Sequence, residues 1–173
     1  MAKVKSNNYR IEEDTCYIDC YNLQGNVSGT IIIDSEDIPK VNKYNWHVEH
    51  SRKNLFYAQA INGNSTIRMH KIICPSDEQV DHINHNGLDN RKSNLRACSN
   101  RENNHNKRFS LNSKSGYTGI RYNDKCKSYY VRIQINKKDI SLGAYKSLEE
   151  AIKARKDAED KYYGDFKYKE EIK

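Results

Sequence analysis

Over its first eighty residues the chain alternates apolar and polar positions on a short period. In TCYIDCY, Cys16, Ile18 and Cys20 fall on one side and Tyr17, Asp19 and Tyr21 on the other, as in a half-buried strand. Gly25 and Gly29 bracket a turn before TIII, a short buried strand, and Asp34 caps a short helical turn that runs to Val41. YNWHVEH, LFYAQAI and TIRMHKII follow as strands, with turn signals at Ser51–Asn54 and at Asn62-Gly63-Asn64. Pro75 closes this β-rich block, and a loop leads to VDHI. The next stretch, NHNGLDNRKSN, is too hydrophilic to be buried. A helix begins after it, with Ser99 as N-cap and Glu102 three residues on in a capping-box pattern.

KRFSLNSKSG is basic, polar and without apolar periodicity, which predicts a linker. Beyond it, GYTGIRY, SYYVRIQI and DISLGAY read as three strands joined by tight turns. Val131, Ile133 and Ile135 face one way in the second of them, and Tyr130, Arg132 and Gln134 face the other. The last helix takes Ser147 as N-cap, with Glu150 completing a capping box. Its apolar face is Leu148, Ala151, Ile152, Ala158 and Tyr162, and Gly164 stands at its C-terminal cap. An apolar helix face on an apolar sheet face makes a two-layer unit and leaves the other sheet face for a partner.

Composition narrows the partner. Of 173 residues only 36% are hydrophobic, and 30 Lys or Arg against 23 Asp or Glu give a formal charge of +7. That excess lies in the second half: residues 1–80 hold 9 basic and 10 acidic residues, residues 81–111 hold 6 and 3, and residues 112–173 hold 15 and 10. No apolar run approaches the roughly 20 residues that span a bilayer, and the start MAKVKSNNYR lacks a signal-peptide core. Nucleic acid is therefore the expected polyanion, not a membrane. Cys16, Cys20, Cys74, Cys98 and Cys126 form no C-x-x-C pair, so a zinc knuckle is not expected, and reduced thiols in a cytoplasm are.

The candidate chemistry sits at Asp81-His82, at the end of a strand. Histidine, with an ordinary pKa near 6.5, can take a proton from water at working pH. An adjacent carboxylate can hold a hard divalent cation against a phosphate. Neighbours on a strand point to opposite faces, so the two side chains can do both jobs without obstruction. His70 is expected to pack or to support the site from a neighbouring strand, and His85 to be a loop residue. His47 and His50 carry no signal.

The segment VDHINHNGLDNRKSNLRACSNRENNHNK resembles the ββα-metal core of phage and bacterial HNH endonucleases, homing enzymes among them. The resemblance implies that Asp81 binds metal, that His82 is the general base, that Asn94 pins the loop and that Asn103 is a metal ligand on the helix. An Asn at that last position supplies oxygen, which suits Mg²⁺ or Mn²⁺ rather than zinc. Arg91, Lys92, Arg96, Arg101, Lys107 and Arg108 would hold the DNA backbone near the site.

Residues 116–166 carry a second resemblance, to the Apetala-type DNA-binding domain of plant ethylene-response factors. It rests on G-x-x-G-I, Y-x-V-R-I, L-G-x-Y, S-x-E-E-A and a closing Y-G. That domain lays a three-stranded sheet in the major groove, which implies base-reading positions at Arg121, Asn123, Arg132 and Gln134, with Tyr130 and Ser141 close by. Arg and Gln suit bidentate contacts with guanine and adenine edges. Asp139 and Ser141 stand where the plant domains carry other residues, so their DNA preference does not carry over.

The expected fold class is thus α+β. A β-rich region with the HNH core fills residues 1–106 (core about 66–106), then a linker at 107–115, a three-stranded antiparallel sheet on one helix at 116–166, and a tail at 167–173. The expected function is metal-dependent cleavage of double-stranded DNA by a homing-type enzyme of a bacterial or phage-infected cell, monomeric or homodimeric, without a small-molecule cofactor. Restriction-type or nicking activity is the nearer alternative. A non-cleaving DNA-binding regulator is the alternative from another class, and an RNA-binding module is weaker because the sheet lacks RNP-like aromatic pairs.

Overall fold

The computed structural model describes residues 5–52, 55–105 and 115–166. It divides into two compact units, Met1–Asn100 and Arg101–Lys173. Lys107, Arg108, most of the expected linker and the 167–173 tail lie outside the described residues. No helix among the described residues is long and apolar enough to cross a membrane.

The first unit is strand-rich. Strands β1 (Asn8–Glu12), β2 (Thr15–Tyr21) and β3 (Val27–Asp34) form an antiparallel sheet in that order. The alternation in β2 is borne out: Cys16, Ile18 and Cys20 are fully buried, and they meet Ile31 and Ile33 of β3, also fully buried. Gly25 does lie in a turn, at φ +82°, but Gly29 does not; it sits inside β3, paired with Cys20. The helical turn is present as a 3-10 turn at Ser35–Asp37 and helix α1 (Ile38–Val41), yet Asp34 makes no side-chain cap. Its carboxylate instead accepts the Lys92 backbone N–H at 2.8 Å, across 58 residues.

A second sheet runs β4 (Trp46–Arg52), β5 (Leu55–Asn62), β6 (Ser65–Arg68), all antiparallel. Trp46, Ala58 and Ala60 complete the same core with Met69 and Ile73. TIRMHKII is not one strand. After Arg68 the chain turns into helix α2 (Met69–Ile73), which buries Met69, His70 and Ile73. Strand β7 (Gln79–His82) then pairs antiparallel with β8 (Leu95–Cys98), and α3 (Asn100–His105) follows.

In the second unit β9 (Ile120–Asn123), β10 (Ser128–Ile135) and β11 (Lys138–Tyr145) form an antiparallel sheet with β10 in the middle, and α4 (Leu148–Tyr163) packs on it. Ile120, Val131 and Ala151 are the buried centre, surrounded by Tyr117, Tyr129, Leu142, Leu148 and Ile152. Ser147 does cap α4, accepting the Glu149 N–H at 3.1 Å. Tyr162, expected on the apolar face, is 39% exposed. A polar pair is buried on the helix instead: Arg155 Nε meets Glu159 Oε1 at 2.7 Å, and Arg155 Nη1 donates to the Arg132 carbonyl.

Gly119 shows why that guanidinium fits. Its φ is +82°, and a Cβ there would come within 2.5 Å of the Arg132 carbonyl oxygen and 2.6 Å of Arg155 Nη1. Only glycine allows this conformation beside so close a neighbour. The Gly119 carbonyl in turn accepts the Arg132 N–H at 2.8 Å, next to an irregularity in the β10–β11 register. Ser115, assigned to the linker by composition, is buried and donates to the Ile120 carbonyl at 2.7 Å.

Candidate functional site

Asp81 and His82 end β7, opposite Arg96 and Leu95 of β8. Both are buried, at 8% and 6% exposure. The segment 83–94, between the two strands, is the hydrophilic one that was expected to stay at the surface. The structure buries Asp89, Asn90 and Asn94 within it. Burial is tolerable because these polar groups satisfy one another and the backbone. Asn94 Oδ1 accepts the Asn84 N–H at 2.9 Å, and Asn94 Nδ2 donates to the Asp89 carbonyl at 2.7 Å. Asn94 therefore ties both arms of the loop together.

Asp89 is held by Arg91 through two bonds, Nε–Oδ1 at 2.8 Å and Nη2–Oδ2 at 2.7 Å, and by Asn84 Nδ2 at 3.0 Å. Burial alone would raise its carboxyl pKa, but these bonds and the Arg91 charge outweigh it and hold it below the usual value.

The N-terminal strands, to which the sequence assigns no chemistry, grip this loop. Ile32 of β3 donates its N–H to Leu88 at 2.9 Å and accepts from Asn90 at 2.7 Å, forming an isolated parallel bridge with Asp89. Lys92 adds ion pairs to Glu36 at 2.5 Å and Asp37 at 3.3 Å. Gly87 lies so close to β5 that a Cβ would sit 2.1 Å from the Phe56 carbonyl oxygen and 2.7 Å from the Tyr57 ring. A side chain at position 87 would push the loop off the sheet.

His82 Nε2 lies 3.3 Å from Asn90 Oδ1. Its ring meets the His70 ring edge-on at 5.1 Å between centroids, and Tyr57 stands 6.0 Å from each. His70 thus does abut the site, from a helix rather than a strand. Burial lowers the His82 pKa, opposed by the Asn90 bond and the Asp81 and Asp89 charges. Burial, with His82, Arg68 and Lys71 nearby, lowers His70 further, to about 3. Both shifts favour the neutral imidazole.

A histidine whose folded pKa is depressed binds its proton mainly in the unfolded chain, so stability falls as pH drops below about 6.5. For His70 the loss runs on towards the folded value of about 3. His70→Phe keeps the ring contact and removes this proton. Urea unfolding of the first unit at pH 7 and about pH 4.5 is expected to show an acid penalty about 2–3 kcal/mol smaller in the variant.

Asp81 is paired with Arg96 within the β7–β8 hairpin, Oδ2 standing 2.9 Å from Nη2 and 3.1 Å from Nε. Arg91 and Arg96, both expected on the DNA backbone, are thus engaged by carboxylates of this unit. Asn103 lies half-buried on α3, and the Arg101 side chain lies outside the described set. Among the described residues no cluster of three or more His, Cys, Asp or Glu could hold a metal by itself. Asp81 and Asn103, the expected ligands, each carry oxygen donors, the kind a hard cation takes. The Arg96 guanidinium on Asp81 shows that positive charge is already drawn to this carboxylate.

On the second unit, Arg121, Tyr130, Arg132 and Gln134 are exposed on one sheet face, as alternation predicts. Asn123 is different: its Oδ1 accepts the Lys125 N–H at 3.0 Å and the Cys126 N–H at 3.4 Å, so it shapes the β9–β10 turn. Asp139 takes Arg132 Nη1 at 2.9 Å and Gln134 Nε2 at 3.4 Å.

Asn90 is the residue of the site that the sequence left unnoticed. It lies inside the motif NHNGLDNRKSN, but the sequence assigns it no role, and its burial beside His82 is what sets it apart.

Residues 73–105 match the family model described as HNH endonuclease. The chain is also 35% identical over 103 residues to an uncharacterized HNH endonuclease of Acanthamoeba polyphaga mimivirus. That match spans 54% of this chain and 52% of the relative, so the chain covers about half the relative's length. No solved structure matches. The family match and the relative's name both support a nuclease.

Proposed function

We propose that this chain is a metal-dependent DNA endonuclease whose reactive centre is Asp81-His82 and whose C-terminal sheet recognises the target. The observation that carries it is the buried His82 next to Asp81 at the end of β7, inside the segment that matches the HNH family.

His82 accepts the proton of the attacking water as that water's oxygen bonds to phosphorus and the bond from phosphorus to the leaving nucleotide oxygen breaks. Asp81 and Asn103 would hold Mg²⁺ or Mn²⁺, which supplies charge neutralisation at the phosphate and the leaving oxygen. Arg96, which pairs with Asp81 in this structure, would be available to a phosphate oxygen once a cation took its place on that carboxylate. Asn94 keeps the loop closed, and Lys107 and Arg108 add positive charge along the DNA backbone. The setting we propose is a homing-type enzyme of a phage or mobile element.

The test is supercoiled plasmid incubated with the full chain and Mg²⁺, with and without excess chelator. Nicked or linear product only in the metal-containing sample is expected. Full-rate cutting in chelator would remove the metal, and intact plasmid in both samples would remove the nuclease.

For the C-terminal unit, the exposed row of Arg121, Tyr130, Arg132 and Gln134 supports reading of base edges in the major groove. Arg132→Ala is expected to cost about 1–3 kcal/mol on the cognate duplex and much less on scrambled DNA, where phosphate contacts dominate. Binding titrations at two salt concentrations check this, and equal losses on both duplexes would reduce the sheet to a backbone clamp.

A further inference from the structure

We propose that Asn90 is a positioning residue that fixes the tautomer of His82, placing the hydrogen on Nε2 and the proton-accepting lone pair on Nδ1. The inference rests on the assignment of His82 as the base and deepens it by naming the nitrogen that acts and the residue that selects it.

Asn90 has no exposed surface. Its backbone is fixed from outside the loop, since its N–H is bonded to the Ile32 carbonyl of β3 at 2.7 Å. Its side-chain amide is oriented by chemistry. Nδ2 faces the Gly87 carbonyl at 3.5 Å, and Oδ1 faces His82 Nε2 at 3.3 Å. Turning the amide over would set its oxygen against the Gly87 carbonyl oxygen, acceptor against acceptor. The oxygen therefore faces His82, and an amide oxygen can only accept.

A neutral imidazole carries one N–H. When one nitrogen donates, the other must hold the lone pair, so the bond at one edge of the ring decides the chemistry at the other. Whatever Nδ1 meets, it meets as an acceptor, which is the role a general base needs towards water. The opposite tautomer would leave lone pairs facing each other across the 3.3 Å between Nε2 and Asn90 Oδ1, both buried. This gives the N-terminal sheet a part in the chemistry: β3 holds Asn90, and Asn90 holds the ring of His82.

Long-range proton–nitrogen correlation NMR on the metal-free full-length protein tests this, because protonated and unprotonated imidazole nitrogens resonate far apart. The result expected for His82 is protonated Nε2 and bare Nδ1. A proton on Nδ1 in the wild-type protein overturns the proposal without reference to any cleavage assay. In Asn90→Ala the Nε2–H preference should be lost, and single-turnover cleavage should slow by at least about tenfold, as for loss of an orienting partner, while DNA affinity stays within a few-fold. Wild-type turnover by Asn90→Ala overturns the positioning role. Should that variant not fold, Asn90→Asp keeps an oxygen at the same place and must keep the hydrogen on Nε2; a proton on Nδ1 alone there also overturns it. Failure of the nuclease assignment reads out separately, as absence of cleavage by a wild-type protein that still shows the Nε2–H form.

Discussion

Replacing His82 by alanine is expected to slow DNA cleavage by about 10²–10⁴-fold, the range set by removal of a positioned general base. The imidazole is buried at the end of β7, its pKa lowered by that burial, and it is oriented by Asn90. Alanine deletes the proton acceptor and its contact with Asn90, while the bonds among Asn84, Asn94, Asp89 and Arg91 do not involve the imidazole. Affinity for DNA should stay within a few-fold. The sign of the pH effect follows from the same burial. The base form of a histidine held below its ordinary value survives to lower pH, so the acid limb of the rate profile should fall below about pH 6.5. Single-turnover rates across pH for the wild-type protein, beside the His82→Ala rate, check both statements.

Arg155→Leu is the substitution expected to cost the most stability. Its side chain and that of Glu159 are 7% and 8% exposed and 2.7 Å apart, and the guanidinium also donates to the Arg132 carbonyl. Leucine leaves the Glu159 carboxylate buried without its cation, and removing one partner of such a pair costs about 3–5 kcal/mol. The urea transition of the C-terminal unit should shift to lower denaturant or vanish, and the N-terminal unit's transition should stay. Pairing the change with Glu159→Leu should recover much of the loss, because the uncompensated charge is gone. Unchanged unfolding of the single variant would mean that the pair is not what holds α4 to β10. Arg132 sits on the strand that Arg155 braces, so sequence preference for DNA should weaken along with stability.

Period-two alternation was enough to find β2 and β10 and to assign their faces, because one face of each is more deeply buried than the other. It failed where burial and hydrophobicity part company. β1 escaped notice because its residues are exposed except for a half-buried Tyr9. MHKII looked like strand because its apolar residues form a short run with no capping signal, yet it buries one side of a single helical turn. The loop at 83–94 looked solvated because it is polar, whereas Asp89, Asn90 and Asn94 are buried by satisfying each other. Composition cannot display a mutual arrangement of that kind. Likewise, helical spacing placed Leu148, Ala151, Ile152 and Ala158 of α4 against the sheet but missed the exposure of Tyr162 and the burial of Arg155 and Glu159, the former beside Gly119. At the site, Asp81-His82 and Asn94 were legible as a motif. Asn90, the grip of β3 on the loop and the pairing of Asp81 with Arg96 depend on contacts between distant segments, which a one-dimensional pattern does not hold.

The central claim is that Asp81-His82 cuts DNA at a place the chain itself selects. It is tested most directly by incubating the full chain with a random duplex library and Mg²⁺ and sequencing the ends produced, beside an identical reaction with His82→Ala. The predicted result is breaks that share a common flanking sequence with the wild-type protein and no such breaks with the variant. Intact DNA with the wild-type protein, or the same breaks at the same rate with His82→Ala, would contradict it.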